Sequence, residues 1–362
     1  MPNHIEYMQR AYALALQGWG KTLPNPMVGA VVVKGGRVIG EGWHDFCGGP
    51  HAEAMALQKA ASKAKGADLY ITLEPCCHTG RTPPCTEAII ASGIKRAFVG
   101  VLDPNPLMNG KSIKLLRKSG ISVEVGFLQE ELTRLNEAFN KYISTGTPFV
   151  TAKIAQTLDG KIATLSGESK WITSAPAREY SRDLRFGFDA IAVGINTVLK
   201  DDPQLNAPGK RLKKIIFDSR LRIPLEARLF KGCKPQDILI FTACPQKKLN
   251  ATLIHAPLKG GKIDLPWAMR YLGGHGIAHL LLEGGGELIG NALKSGVVDK
   301  MAVYISPQIL GEGTASVRGL GVEVLGAAVR LNNVSMGRIG DDFLVEGYPI
   351  LPKGRTRVYR NH

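Results

Sequence analysis

His51, Glu53, Cys76 and Cys85 are the residues of this 362-residue chain whose types and spacing could do chemistry. One imidazole and two thiolates form a soft nitrogen–sulfur set that suits zinc. Three protein ligands leave the fourth tetrahedral position to water, as in a catalytic rather than a structural site. Glu53, two residues after His51, would reach that water without binding the metal. Zinc brings the pKa of its water toward neutrality. Attack on an amidine-type ring carbon would then give a ring carbonyl, with Glu53 carrying the water proton toward the ring nitrogen and the leaving ammonia. Cys77 competes as a ligand by type. Adjacent thiolates rarely both reach one tetrahedral ion, so Cys76 and Cys85 are the expected pair. His78 is available as a fourth ligand for a closed structural site, but such a site has no use for Glu53.

The elements that must position these groups read as strands alternating with helices, which predicts an α/β fold with a mostly parallel sheet. Apolar residues at helical spacing predict a helix from His4 to Gln17. Strands are expected at Ala30–Val33 and Arg37–Gly40, joined at Gly35-Gly36. His51 would open a helix reaching Ala60, Asp68–Thr72 would be a strand, and Pro84-Cys85 would start the next helix. Further on, the pattern predicts a strand over Arg96–Val101, a helix over Lys111–Lys118, a strand over Ile121–Val125 and one long helix from Leu128 to Ile143. Between the first helix and first strand lies Thr22-Leu23-Pro24-Asn25-Pro26. Two prolines there predict an extended backbone presenting the Asn25 amide.

Length predicts two domains, divided at Ser144-Thr145-Gly146-Thr147-Pro148 into 1–146 and 147–362. Hydrophobic residues make up 44% of the chain and no run of eighteen is apolar, so no membrane span is expected. The first residues carry neither a basic nor an apolar signal region. Six cysteines at these spacings do not form a disulfide framework, and Cys47, Cys233 and Cys244 are expected to be reduced thiols in a cytoplasmic protein. The formal charge of +15 is uneven: the first 146 residues carry +4 and the remainder +11. Such a balance suits nucleic acid, a membrane surface or small phosphorylated ligands.

In the second half, Phe149–Ala155, Ala190–Ile195, Lys213–Asp218, Asp237–Phe241, Ala278–Glu283, Val297–Ser306 and Asp342–Gly347 read as strands. A helix is expected over Ala177–Phe186, with Ser174 as N-cap and Pro176 in its first turn. Gly284-Gly285-Gly286 followed by a helix from Glu287 to Leu293 is a strand–turn–helix suited to a pyrophosphate. It is not a G-x-G-x-x-G motif, so a Rossmann reading is not licensed. His255, His275 and His279 read as structural.

Taken together, His51-Ala52-Glu53 and Pro75-Cys76 resemble the zinc deaminases, with the second thiolate at Cys85 after an eight-residue insert. That insert, with Thr22–Gly29, Leu158-Asp159-Gly160-Lys161, Trp171-Ile172-Thr173-Ser174, Asp201-Asp202-Pro203, Asp218-Ser219 and Leu282-Glu283-Gly284-Gly285-Gly286, resembles the bifunctional deaminase–reductases of riboflavin biosynthesis over nearly the whole chain. The resemblance implies a cytidine-deaminase-like three-layer domain followed by a dihydrofolate-reductase-like α/β domain. It implies deamination of 2,5-diamino-6-(5-phosphoribosylamino)pyrimidin-4-one with one Zn2+, then reduction of the ribosyl group to ribityl with NADPH. The zinc ligands carry over onto His51, Cys76 and Cys85 and the proton shuttle onto Glu53. Asn25, His44, His78 and Arg81 match positions expected to hold the pyrimidine substrate or its phosphate. Ala155, Trp171, Thr197, Asp201, Ser219, Gly285, Gly286, Glu287, Leu288, Ile289, Gly290 and Asn291 match cofactor positions. Ser169, Arg185, Leu205 and Glu283 match reductase substrate positions.

The expected partner is therefore a phosphorylated pyrimidine, not nucleic acid or membrane, in a chain that forms homo-oligomers as the family tends to. One departure concerns the arginine that usually follows Leu205 by a few residues. Here Asn206-Ala207-Pro208-Gly209-Lys210-Arg211 stands in its place, so either Lys210 or Arg211 is expected to substitute, or the reductase to bind its substrate less well, and the hypothesis is that Arg211 shares the substrate phosphate with Arg185. The rivals are a nucleic-acid-editing deaminase, which shares the zinc chemistry, and a non-catalytic protein with a structural zinc.

Overall fold

A computed structural model describes residues 4–78, 83–106, 108–244 and 248–352. The chain divides into two compact units, residues 1–144 and 145–362. Among the described residues no helix is long and apolar enough to cross a membrane.

The first unit runs α1 (His4–Ala15), β1 (Gly29–Lys34), β2 (Arg37–Trp43), α2 (Ala52–Ala60), β3 (Asp68–Leu73), α3 (Cys85–Ala91), β4 (Arg96–Val101), α4 (Lys111–Lys118), β5 (Ser122–Val125), α5 (Gln129–Leu135) and α6 (Glu137–Thr145). Its sheet has the order β2-β1-β3-β4-β5. The β1 strand is antiparallel to both neighbours, whereas β3, β4 and β5 are parallel. Alternation along the strands feeds two cores. Ala30, Val32, Leu69, Ile71, Ala97 and Val99 pack on one face with Ala52, Ala56 and Leu57 of α2, Ile89 of α3 and Leu116 of α4. Val31, Val33, Tyr70 and Phe98 pack on the other with Met8 and Ala11 of α1 and Leu132 of α5. A sheet between two helical layers results. Gly40 and Gly42 let α2 lie directly on β2, since a Cβ at either would meet a carbonyl oxygen of α2, Ala56 O at 2.2 Å or Ala52 O at 2.3 Å.

The long helix expected from Leu128 to Ile143 is two helices, broken at Asn136 (φ −111°, ψ 25°). Its side-chain Oδ1 accepts from the Met27 N–H at 2.8 Å, and its Nδ2 donates to the Met27 carbonyl at 2.9 Å. The helical periodicity is intact on either side. A tertiary contact 109 residues away in sequence takes the residue between them.

The second unit continues β6 (Phe149–Thr157), β7 (Lys161–Ala163), α7 (Ala175–Leu184), β8 (Ala190–Gly194), α8 (Ile195–Asp201), β9 (Lys213–Phe217), β10 (Ile238–Thr242), β11 (Thr252–His255), β12 (Leu258–Lys259) and β13 (Lys262–Ile263). It closes with α9 (Leu265–Gly274), β14 (His279–Glu283), α10 (Gly286–Lys294), β15 (Lys300–Ser306), β16 (Thr314–Ala315), β17 (Arg330–Ile339) and β18 (Asp342–Ile350). Nine strands form one sheet in the order β11-β10-β9-β8-β14-β6-β15-β18-β17. The first seven in that order are mutually parallel, and β18 and β17 add as an antiparallel hairpin. Val150, Ala152, Leu280 and Leu282 face α9 and α10 on one side. Ile191, Val193, Ile216 and Leu281 face α8 and the 221–230 segment on the other.

Ser174 stands at the N-cap of α7 without a side-chain cap; its hydroxyl donates instead to Asp342 Oδ2 at 2.7 Å. Several elements carry no expectation from the sequence, among them β7, β11, β12, β13 and β16, which are two to four residues long. The α8 helix follows β8 directly, whereas α9 opens on Asp264, which accepts from the Trp267 N–H, with Pro266 in its first turn, so its start signals were available. The β17 strand is exposed on both faces, so it lacks the alternation that would reveal it.

Candidate functional sites

His51 is the N-cap of α2, one residue before the helix proper. Its backbone is extended there, and its carbonyl accepts the first helical bond from Met55. Cys76 lies just beyond β3, and Cys85 is the first residue of α3. His51 Nδ1 is 3.1 Å from Cys85 Sγ and 3.5 Å from Cys76 Sγ. All three ligand atoms lie within 4.8 Å of one another, and they are the metal-type cluster found among the described residues. Tetrahedral zinc with Zn–S bonds near 2.3 Å separates its ligand atoms by roughly 3.3–3.8 Å, so this donor set fits zinc in size and chemistry. The Cys85 backbone N–H donates to Cys76 Sγ at 3.3 Å, and the Thr86 N–H to the Cys76 carbonyl at 3.1 Å. The Cys85 side chain, then His51 and the Cys85 N–H, hold the Cys76 thiol down to about 4, so it is a ready thiolate.

Cys77 and His78 turn away from this trio. Cys77 Sγ lies 4.0 Å, and His78 Nδ1 3.2 Å, from Met108 Sδ. The cluster therefore offers three protein ligands. Glu53, in the first turn of α2, is 4% exposed, and burial raises its pKa above the ordinary carboxylate range.

His44 Nδ1 sits 3.0 Å from the Pro50 carbonyl, which fixes the proton there and leaves Nε2 to accept from Asn25 Nδ2 at 3.3 Å. Burial lowers the His44 pKa, so the ring is neutral. It meets His51 edge to face at 5.6 Å, which brings Asn25, His44 and His51 into one wall. The backbone at Asn25 is not extended. Its N–H donates to Thr22 O at 2.8 Å and closes a turn. Arg81 lies outside the described residues.

A second site is a cavity of about 630 Å³ at the carboxyl ends of the parallel strands of the second unit. Ala155, Ser169, Arg185, Thr197, Asp201, Leu205, Ser219, Glu283, Gly285, Gly286, Glu287, Leu288 and Asn291 all line it. Arg185 Nε and Nη2 donate to the two Glu283 oxygens at 3.1 and 3.0 Å, and Nη1 donates to Asn206 O at 2.9 Å.

Four expected residues do not line the cavity. Ile289 is fully buried in the core beneath α10. A Cβ on Gly290 would stand 1.8 Å from Arg318 O, so this glycine serves close packing of the chain against the helix. Gly286 does the same toward Ala315 O, at 2.4 Å, while Gly285 is open. Trp171 is 66% exposed, with the Arg178 guanidinium 4.4 Å from its ring centre. Arg211, expected to share a phosphate with Arg185, is ion-paired with Asp237 and does not line the cavity.

Lys153 on β6 lines the same cavity and had no motif to announce it. Its ammonium lies 5.3 Å from the Tyr304 ring centre. Burial pushes its pKa below the ordinary lysine range, against the pull of Glu283. A lone lysine in an apolar strand was the available signal. Lys200, Arg220, Arg222, Lys262 and Arg318 also line the cavity and supply positive charge for phosphates.

Comparison with known proteins matches these two sites to two families. The cytidine and deoxycytidylate deaminase zinc-binding region matches residues 1–101, and the RibD C-terminal domain matches residues 148–345. The riboflavin biosynthesis protein RibD of Aquifex aeolicus is 45% identical, covering 94% of this chain and 96% of that one. That of Escherichia coli is 38% identical over 93% and 96%. The crystal structure of a diaminohydroxyphosphoribosylaminopyrimidine deaminase/5-amino-6-(5-phosphoribosylamino)uracil reductase from Thermotoga maritima superposes with a TM-score of 0.84 at 36% identity, covering 96% of this chain and 99% of that one. The chain belongs to the RibD family of riboflavin biosynthesis, bifunctional enzymes that join a zinc-dependent deaminase to an NADPH-dependent reductase.

Proposed function

We propose that residues 1–146 deaminate 2,5-diamino-6-(5-phosphoribosylamino)pyrimidin-4-one and that residues 147–362 reduce the ribosyl group of the product with NADPH. The observation that carries the first assignment is the meeting of His51, Cys76 and Cys85 with a buried carboxylate, Glu53, in the first turn of the same helix. These three residues would hold Zn2+, which when bound makes water acidic enough to attack near neutral pH. Glu53 takes one proton of the attacking water and passes it to the ring nitrogen; the second, from the added hydroxyl, passes by the same carboxylate to the amino group, which leaves as ammonia while the ring carbonyl forms. The raised pKa of Glu53 suits a group that must both accept and donate. Asn25 and His44 orient the planar ring through directed hydrogen bonds, and His78 and Arg81 complete the substrate contacts.

In the second site, Thr197, Asp201, Ser219 and the open Gly285 turn would hold NADPH, whose part is to supply the hydride. Ser169, Leu205 and the Arg185–Glu283 pair frame the sugar. Lys153, half-buried on the cavity wall, is the cation in reach of the same space, and we assign it the proton that must accompany hydride addition. The phosphate falls to the remaining cavity bases, because Arg211 is engaged elsewhere.

We further propose that the chain works in the cytoplasm, where its six free thiols stay reduced, and as a homo-oligomer. The β17 edge supports the second point. It is ten residues long and leaves Val334 56% and Met336 72% exposed, the kind of edge that a second chain covers. Light scattering that gave a monomer at micromolar concentration would refute it.

A pair of assays tests the function as a whole: ammonia release from the diaminopyrimidine, and NADPH oxidation with the deaminated product supplied directly, each before and after metal removal. Chelation should abolish the first and spare the second. Ammonia release that survives complete loss of zinc would overturn the assignment.

A further inference from the structure

Glu74 stands at the end of β3, two residues before Cys76, and is 3% exposed. Its own N–H continues the ladder by donating to Val101 O at 2.9 Å, so its backbone is fixed by the sheet. The carboxylate meets backbone donors of one segment, the connection from β4 into α4. Oε2 accepts from Asp103 N–H at 3.2 Å and from Gly110 N–H at 2.8 Å, and Oε1 accepts from Ser112 N–H at 3.0 Å. A buried carboxylate is costly unless hydrogen-bonded, and these three donors are what make it tolerable. Gly110 and Ser112 belong to the start of α4, whose dipole favours a negative charge there.

The segment so held faces the turn that carries Cys76, Cys77 and His78. Met108, 1% exposed, places its sulfur 3.2 Å from His78 Nδ1 and 4.0 Å from Cys77 Sγ. Lys111 N–H in turn donates to the Met108 carbonyl at 2.8 Å. Asp103 accepts from Asn105 N–H at 2.8 Å and lies close enough to His78 and Cys76 to feel the charge of both.

We propose that Glu74 is a positioning residue for the deaminase substrate: by clamping Asp103, Gly110 and Ser112 it holds Met108 against His78 and so fixes the wall beside the metal-bearing turn. The inference rests on the reading of His78 as a substrate group. It assigns Glu74 neither to the metal nor to the proton transfer. The signature of such a role is a change in KM with kcat and zinc retained.

The test uses Glu74→Gln in the full-length zinc-loaded enzyme, with zinc measured by elemental analysis. Losing an ionic acceptor shared by three amides should raise KM for ammonia release about tenfold. The same change should leave kcat within about threefold of wild type. Zinc stoichiometry and NADPH oxidation should not change, and the Asp103, Gly110 and Ser112 amides should exchange hydrogen faster. An unchanged KM with freed amides overturns the proposal, as does loss of zinc together with kcat, which would make Glu74 a support of the metal turn. If Glu74→Gln does not accumulate folded, Met108→Ala cuts the same link downstream. It should give the same KM rise, and an unchanged KM there is equally fatal. Wild-type enzyme that releases no ammonia would instead refute the underlying reading, independently of either variant.

Discussion

Arg185 and Glu283 face each other as a fork on a fork, Nε to Oε1 at 3.1 Å and Nη2 to Oε2 at 3.0 Å, with side chains 17% and 14% exposed. The pair joins the 3-10 turn after α7 to the end of β14, on the wall of the reductase cavity. Burial alone would raise the Glu283 pKa. The charges of Arg185 and Lys153 overcome it and hold the group below the ordinary carboxylate range. Breaking a buried pair by removing one charge leaves the other uncompensated. Glu283→Gln would strand Arg185 and Lys153 together and dislocate the sugar subsite. NADPH oxidation should fall by about 100-fold, the scale of misplacing a reactant by an ångström. Ammonia release should be untouched. A reductase rate within threefold of wild type would show that the pair is only structural.

Glu53→Gln keeps the shape of the side chain and removes the proton acceptor. The trio of His51, Cys76 and Cys85 does not include it, so zinc should remain at one per chain. General acid–base groups contribute on the order of 10²–10⁴ in rate, and ammonia release should fall by that much. Elemental analysis and a deaminase assay on one preparation decide the matter. Equal loss of metal and activity would mean that Glu53 supports the site rather than working in it.

Arg211→Ala should leave the reductase KM within about twofold of wild type, since its guanidinium is engaged with Asp237 and does not line the cavity. The expectation follows from its engagement with Asp237, whose side chain is only 8% exposed and also faces Lys213 at 4.0 Å. A KM raised tenfold would return Arg211 to the phosphate.

The pattern of what the sequence disclosed follows from the physics of each feature. The metal ligands were legible because coordination demands particular residue types, and few types bind zinc. His51, Cys76 and Cys85 announce themselves wherever the fold brings them. Alternating strands and helices were legible for the same reason, since burial of one face imposes a period. The features that stayed hidden are those set by a distant partner. Asn136 breaks a well-patterned helix because Met27 offers two backbone groups. Ser174 has the composition of a cap but is taken by Asp342. Gly286 reads as part of a phosphate-binding turn and Gly290 as a cofactor position by resemblance, yet both leave room for the backbone of residues 315–318. Lys153 and Glu74 carry no motif at all, because one is defined by a cavity and the other by three amides of a distant loop.

Asn136→Ala should destabilise the first unit, because it leaves both backbone groups of Met27 without their partner. Each unsatisfied buried group costs about 1–3 kcal/mol, and since these two are only part-buried a loss of about 2 kcal/mol, the low end of their sum, is expected in the unfolding free energy. Because Met27 follows Asn25 by two residues, the variant should also raise the deaminase KM. Chemical denaturation of the variant and wild type measures the first effect. No change in midpoint would mean that water replaces the amide without cost.

His279 gives the second unit an acid-sensitive element. Its ring lies 4.0 Å from that of Phe188 and 5.6 Å from that of Phe149. Nδ1–H donates to Gly187 O at 3.1 Å, and Nε2 accepts from Thr151 Oγ1 at 3.2 Å, so both nitrogens are used by the neutral form. Burial pushes the pKa from 6.5 down to about 3, with smaller contributions from Lys300 and Lys210. The sign follows directly. Above pH 6.5 neither folded nor unfolded ring is protonated, and the full stability is present. As the pH falls from 6.5 toward 3, the unfolded chain takes up a proton that the folded chain refuses, and stability declines. The slope approaches about 1.4 kcal/mol per pH unit for one proton. His279→Gln should be less stable at neutral pH and should lose that slope, a difference readable from urea midpoints between pH 6.5 and 4. Parallel pH profiles for the variant and wild type would show that other groups carry the acid response.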